Sequence, residues 1–412
     1  MVHNMNILFI STEIPYPPDH GHHISTYNSL KGLAKNHNIF FVGFATTKKE
    51  LKYKRAIKPL CVSADIFMIA SGWRFWLSLF FNVFSPRPFI GQRYYKSAAR
   101  KTIRNLLRED KIDFVHFDLL HVAPYYKVVR ALPKVLGNRN VESLRFLRRL
   151  QTERNIIKVV YFYLQYFKLR RFEKKMPAKF DCCVLVSDVD KRFHARLTGN
   201  DNFVVIPNGV EIDYFTPNGI PHKSNTLVWV GSMKDPYNAD AVDYFLENIL
   251  PRIKTEIPDV EVNFVGASPT KLLKRKASEN EHLKISGFVD DVRPHMEQAT
   301  VFIAPIRCGS GTKIKILNAL SMSMPVVTTP VGAEGIAVVD DENIIIAKDD
   351  EDFANKTIML LRNPEFAKNI GKNGRQLVEE LYDWQAIHKQ RHQLYAKIVH
   401  QRNAKLVKSS EN

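Results

Sequence analysis

The sequence predicts an α/β protein made of two doubly wound parallel-sheet domains. Three observations lead there. Short, nearly continuous apolar runs rich in Val, Ile and Phe recur along the chain, as strands buried on both faces of a parallel sheet require. Helical patterns separate most of these runs, which is the signature of repeated βαβ units. The 412 residues exceed what one ordinary core organises, and residues 204–226 hold two Asn-Gly pairs and three prolines that punctuate the chain near its middle.

In the first half the strands are read at 6–11, 39–44, 113–117, 134–137 and 182–187, with a helix at 24–36. Residues 145–178 read as one or two long basic helices carrying aromatic side chains. In the second half the strands are read at 226–232, 261–266, 283–287, 301–305, 325–330 and 343–347, followed by a helix over 384–407 with one polar face. The expected organisation is a first domain over 1–205, a second over 206–380, and a terminal helical segment over 381–412. The most apolar segment, WRFWLSLFFNVF at 73–84, is well short of the roughly 18 residues of a membrane span. It reads as a buried or domain-surface helix. Its Trp and Phe content, flanked by Arg74 and Arg87, makes an interfacial helix the alternative. The start of the chain enters a strand directly, without a signal-peptide pattern.

The formal net charge of +18 is uneven, since residues 1–200 carry a net +21 and residues 201–412 a net −3. The halves therefore face different partners. Nucleic-acid motifs are absent. An anionic membrane surface suits the basic half, because each Lys or Arg near such a surface gains about 1 kcal/mol. The cysteines Cys61, Cys182, Cys183 and Cys308 have neither metal-site spacing nor a disulfide framework, which fits a reducing, cytoplasmic compartment.

Ligands of such sheets sit beyond the carboxyl ends of the strands. The segment VFIAPIRCGSGTKIKILNAL at 301–320 reads as strand, glycine loop and helix. Glycine lets backbone approach an anion, and the free amides of a helix's first turn point at it. Gly309, Ser310, Gly311 and Thr312, with Lys313 and Lys315, thus read as a diphosphate site lacking the Walker spacing. Three further exits agree: Gly231, Ser232, Lys234 and Asn238 after one strand, Gly266 after another, and 285–291 with Phe288 where a base edge would lie. In the first half, His20, Gly21, His22 and His23 follow the first strand. His116, Asp118 and His121 follow another, and Asn140 and Glu142 lie in NRNVES at 138–143. These are candidates for holding phosphate or sugar hydroxyls, or for moving a proton.

On the segments at 7–21, 140–143, 186–190, 205–217, 230–245, 265–269, 287–336 and 384–385, the sequence resembles the GT4 (glycosyl transferases group 1) family of GT-B fold glycosyltransferases. Within it, the sequence is most similar to the branch called sugar transferase, PEP-CTERM/EpsH1 system associated. The resemblance implies two Rossmann-like domains facing across a cleft, with the last helix crossing back to the first. It implies a nucleotide-sugar donor (UDP- or GDP-linked) on the second domain, an acceptor on the first, transfer with retention, and neither cofactor nor metal. Lys315 and one of His116, Asp118 and His121 would take the catalytic roles, with His20, His22, His23, Asn140 and Glu142 on the acceptor side. The expected function is extension of a glycan or lipid-linked glycan in cell-surface polysaccharide synthesis, at the cytoplasmic face of the membrane. Many relatives carry two glutamates eight apart where this chain has Ser310 and Asn318, and an Arg and a Lys where it has Ser232 and Asn238. The first change motivates an alternative: a non-catalytic nucleotide-sugar or glycan-binding component.

Overall fold

The computed structural model describes residues 4–18, 21–150, 153, 155–309 and 311–410, with side chains as far as residue 404. The chain forms two compact units: residues 1–207 with 387–412, and residues 208–386.

Unit 1 holds a seven-stranded sheet in the order β3-β2-β1-β4-β5-β6-β7. The strands are β1 (Asn6–Ser11), β2 (Asn38–Ala45), β3 (Ser63–Met68), β4 (Phe114–Asp118), β5 (Lys134–Asn138), β6 (Cys182–Leu185) and β7 (Phe203–Val205). Every pairing is parallel. Ile7, Leu8, Phe9 and Ile10 are successive and fully buried, so both faces of β1 are covered, as a parallel sheet demands. The helices used below are α1 (Gly21–Ala34), α2 (Gly72–Asn82), α3 (Glu142–Leu150), α4 (Ile156–Lys175) and α5 (Asp188–Thr198).

Unit 2 holds a six-stranded parallel sheet in the order β10-β9-β8-β11-β12-β13. Its strands are β8 (Thr226–Val230), β9 (Glu261–Val265), β10 (Leu283–Gly287), β11 (Val301–Ala304), β12 (Val326–Thr328) and β13 (Ile345–Ile346). The helices that position its site are α6 (Pro236–Tyr244) and α7 (Ile314–Ser321). The last helix, α8 (Trp384–Ser410), belongs to unit 1 from Ile387 onward. There Tyr395 is fully buried and stacks on Phe114 with ring centres 4.5 Å apart.

Three features differ from the sequence reading. β3 and β7 were not expected: β3 is a half-buried edge strand containing Ser and Asp, and β7 has only three residues. The helix after the glycine loop starts only at Ile314, with Lys313 as its cap residue, so Lys313 stands ahead of the first turn that holds Lys315. Of the two readings of the 73–84 segment, the surface helix holds and the buried one does not: α2 buries only Asn82, Phe75 is half-buried against Phe89, and Trp73, Trp76, Phe80 and Phe81 are exposed.

Candidate active site

In unit 2 the strand order reverses between β8 and β11, which is where a doubly wound sheet opens a ligand crevice. The exits of three adjacent strands are tied together by backbone. The Gly231 amide donates to the Val265 carbonyl at 2.9 Å, and the Gly266 amide to the Gly287 carbonyl at 2.7 Å. Gly231 and Gly266 have φ of +155° and +148°. A Cβ on Gly266 would stand 2.0 Å from the Gly231 carbonyl oxygen, and one on Gly231 2.4 Å from Lys315 Nζ. No side chain fits at either position, so backbone floors the crevice.

Lys315, in the first turn of α7, reaches from the β11 side across this switch. Its Nζ donates to Asn238 Oδ1 at 2.7 Å and stands 4.0 Å from the centre of the Trp229 ring. Asn238 in turn donates from Nδ2 to the Ser232 carbonyl at 2.7 Å, which fixes the amide so that its oxygen faces the lysine. Burial lowers the Lys315 pKa to about 7; Asp235 opposes the shift and Lys313 adds to it. The side chain is thus a half-buried amine beside an amide and an indole, and its charge is sensitive to near-neutral pH.

The remaining sequence candidates of this unit surround it. Gly309 and Gly311 have φ of +113° and +73°. Lys313 Nζ donates to the Gly311 carbonyl at 2.7 Å, and the Thr312 hydroxyl to the Gly335 carbonyl at 3.3 Å. Ser310 lies outside the described residues. The Lys234 side chain is exposed, Asn318 is half-buried on α7, and Phe288 is exposed just beyond β10.

In unit 1 the sheet reverses between β1 and β4, and register sets Ser11 beside Asp118 at that point. Asp118 is 1% exposed. It accepts from Ser11 Oγ at 3.0 Å, from Thr26 Oγ1 at 2.8 Å and from Arg139. Burial alone would raise its pKa; Arg139, His116 and His22 outweigh that and hold the carboxyl below its ordinary range. His116 is buried, stacked on Phe9 at 4.4 Å, with its Nδ1 2.6 Å from the Tyr395 hydroxyl. Burial lowers its pKa. Thus His116 and Asp118 stand inside the unit as a hydrogen-bonded support for the β1 and β4 exits. His121 is half-buried and meets Tyr94 edge-on at 5.6 Å; burial lowers its pKa as well.

Glu13 of the loop after β1 meets His22 and His23 of α1, with both ring Nε2 atoms 3.3 Å from Glu13 Oε1 and the His23 Nδ1 2.7 Å from the Pro17 carbonyl. Gly21 is the first residue of α1, and His20 lies outside the described residues. Asn140 is half-buried. Glu142 is buried at the start of α3, where its amide donates to Glu173 at 2.6 Å and its carboxylate pairs with Arg145 at 3.2 Å. Sequence reading missed Trp229, Glu13, Arg139 and Tyr395. Arg139 stood within a quoted motif. Tyr395 is 279 residues from its partner, and no local pattern announces such a contact.

Residues 224–363 match the family model described as glycosyl transferases group 1. A 44.6 kDa protein in the cps region of Klebsiella pneumoniae is 23% identical over 393 residues, spanning 92% of this chain and 96% of that one. Among solved structures, sucrose-phosphate synthase from Thermosynechococcus elongatus aligns with a TM-score of 0.71 and 16% identity, over 96% of this chain and 99% of that one. Anabaena HepE in complex with UDP aligns with a TM-score of 0.66 and 13% identity, over 95% and 100%. The likenesses show the fold, an α/β protein of two Rossmann-like units of the GT-B class, and the family match supports glycosyl transfer.

Proposed function

We propose that the protein is a retaining glycosyltransferase that moves a sugar from a UDP- or GDP-linked donor to a glycan or lipid-linked glycan acceptor. The observation that carries this is Lys315, set by Asn238 and Trp229 over a backbone floor of glycines at the strand switch of unit 2. A diphosphate bound there would meet Lys315, Lys313 and the amides of residues 309–312. The bond between the anomeric carbon and the β-phosphate oxygen breaks, and the cationic cradle stabilises the departing diphosphate. The acceptor hydroxyl oxygen bonds the anomeric carbon from the same face, and its proton passes to the leaving phosphate oxygen. No metal takes part in this scheme.

The acceptor belongs to unit 1 in this reading. Of the candidates His116 and Asp118 in β4 and His121 beyond it, His121 takes the contact with the reacting sugar, because His116 and Asp118 are committed inside the fold. Glu13, His22, His23 and Asn140 line the acceptor side, whereas Glu142 is buried and paired with Arg145. The similar protein's place in a cps region supports a polysaccharide role, and HepE's complex with UDP supports a nucleotide-sugar donor. The charge of the first half supports work at an anionic membrane, on its cytoplasmic face.

The test is calorimetric titration with UDP-, GDP- and ADP-sugars, with free nucleotide release followed in parallel. Binding of one donor with slow release, both lost in Lys315→Ala, is the expected outcome; no binding of any donor would overturn the reading. Asn318, where many relatives of the resembled family carry a glutamate, favours a second reading: a non-catalytic nucleotide-sugar or glycan-binding component. Donor binding without release, even with lipid extract, and turnover gained only in Asn318→Glu would establish it.

A further inference from the structure

Helices on a soluble protein bury their apolar side and expose their polar one; α2 does the reverse. Its one buried residue is Asn82. Trp73 and Trp76 are each 67% exposed, Phe80 and Phe81 are also exposed, and Phe84 just beyond is 77% exposed. The helix is not loosely attached. Asn82 Nδ2 donates to Gln92 Oε1 at 2.7 Å, and its Oδ1 accepts from Gln165 Nε2 of α4 at 2.8 Å. Lys168 of α4 caps the last carbonyls of α2, at 2.7 Å from Asn82 and 3.0 Å from Val83. A buried polar network, with Phe75 set edge-on to Phe89 at 5.5 Å, thus holds α2 in place while the rings of Trp73, Trp76, Phe80 and Phe81 face solvent.

α4 carries a second exposed stripe. Ile156, Val160, Tyr163, Phe167, Arg170 and Lys174 follow one another at steps of four and three, and all are exposed, so they share one helix face. The stripe is apolar for about 16 Å and then basic for its last two turns. At the basic end, Phe167, Arg170, Arg171, Lys174, Arg196 and Leu197 line an open groove of about 520 Å³ between α4 and α5. Four cations and no carboxylate line it.

We propose that α2 and α4 form the surface by which the protein lies on an anionic bilayer, with lipid phosphate in the groove between α4 and α5. This deepens the membrane reading given above and rests on it. Trp and Phe belong at the boundary between headgroup and acyl chain, where an interfacial helix sinks about 5–10 Å. The change from apolar to basic along one stripe matches the change from acyl chain to phosphate. A second copy of this chain fits less well, since a two-fold contact presents the same patch from both sides and sets the basic groove near its own copy.

The test uses the full chain and flotation with vesicles of phosphatidylcholine, alone or mixed with phosphatidylglycerol. The expected result is partition onto the mixed vesicles that weakens with salt. Trp76→Ser/Phe80→Ser and Val160→Ser/Phe167→Ser should each lower the partition coefficient tenfold or more. Arg170→Glu/Lys174→Glu/Arg196→Glu should lower it as much and flatten the salt dependence. Donor binding and far-UV circular dichroism should stay as in the parent, which separates lost docking from lost fold. Of the four tryptophans, Trp229 and Trp384 are buried, so a lipid-induced blue shift of emission reports Trp73 and Trp76 and should vanish in Trp73→Phe/Trp76→Phe. If the parent floats and all these variants float equally, the docking surface lies elsewhere while the membrane reading stands. If the parent ignores anionic vesicles at low salt, both fall. A lipid-free dimer in light scattering that the serine variants dissociate would assign the surface to a second copy and overturn the proposal.

Discussion

In the proposed function Lys315 decides whether the unit 2 crevice holds an anion, and its setting makes two quantitative predictions. Exchange to Met keeps the length but removes the charge, and one charge-assisted hydrogen bond contributes about 1.5–3 kcal/mol. Nucleotide affinity should therefore fall at least tenfold in calorimetry, while the melting temperature holds or rises, because burying the ammonium opposes folding. The pH dependence follows from the pKa lowered to about 7. Only the protonated amine attracts a diphosphate, so free protein must take up a proton to bind above that pH. Affinity should drop as pH rises from 7 toward 9, and titrations in two buffers of different ionisation heat should show net proton uptake at pH 8. Affinity flat across that range would remove Lys315 from the phosphate contact. Lys315, Gly309 and Gly311 were legible in the sequence because loop, charge and helix are contiguous there. Trp229 was not, since an indole inside an apolar strand reads as core until the lysine is seen above it.

Elements were legible in proportion to how fully they are buried. The central strands announced themselves as apolar runs, whereas the edge strands β3 and β7 are half-polar or three residues long, and their pairing comes from neighbours instead of pattern. The terminal helix α8 was legible as a helix but not in what it touches. Gly32 of α1 faces it so closely that a Cβ would lie 2.2 Å from His388 Nδ1. The His37 and His392 rings stack at 4.8 Å, and Tyr395 bonds His116. Tyr395→Phe keeps the ring packing but removes the hydroxyl, leaving a buried imidazole nitrogen unpaired. That should cost about 1–3 kcal/mol, read as a lower urea midpoint with an unchanged slope. Donor binding in unit 2 should be untouched. Full stability in Tyr395→Phe would mean that water replaces the phenol and that the contact is incidental.

At the scale of the molecule, the two units are not equivalent as pieces of chain. Residues 208–386 are one continuous stretch enclosing a complete six-stranded sheet, while unit 1 needs residues 387–412 in addition to 1–207. The fragment 208–386 contains its own core, from Leu227 and Phe264 to Phe302 and Val378. It should fold alone with a cooperative urea transition and keep nucleotide affinity within about threefold of the whole chain, because every group placed around Lys315 lies inside it. The fragment 1–207 lacks Ile387, Tyr395 and Ile398, all buried in the whole chain. It would expose the sheet face that carries Phe9, Phe114 and His116. Burying each such side chain stabilises by about 1.5–3 kcal/mol, and a domain has only about 5–15 kcal/mol in total. Three losses on one face should therefore leave 1–207 aggregated or only partly folded, and adding 387–412 as a separate peptide should restore a cooperative transition. If 1–207 instead unfolds cooperatively with the stability of the whole chain, the return helix is an accessory. The buried Asp118 cluster would then stand on Ser11, Thr26 and Arg139 without it.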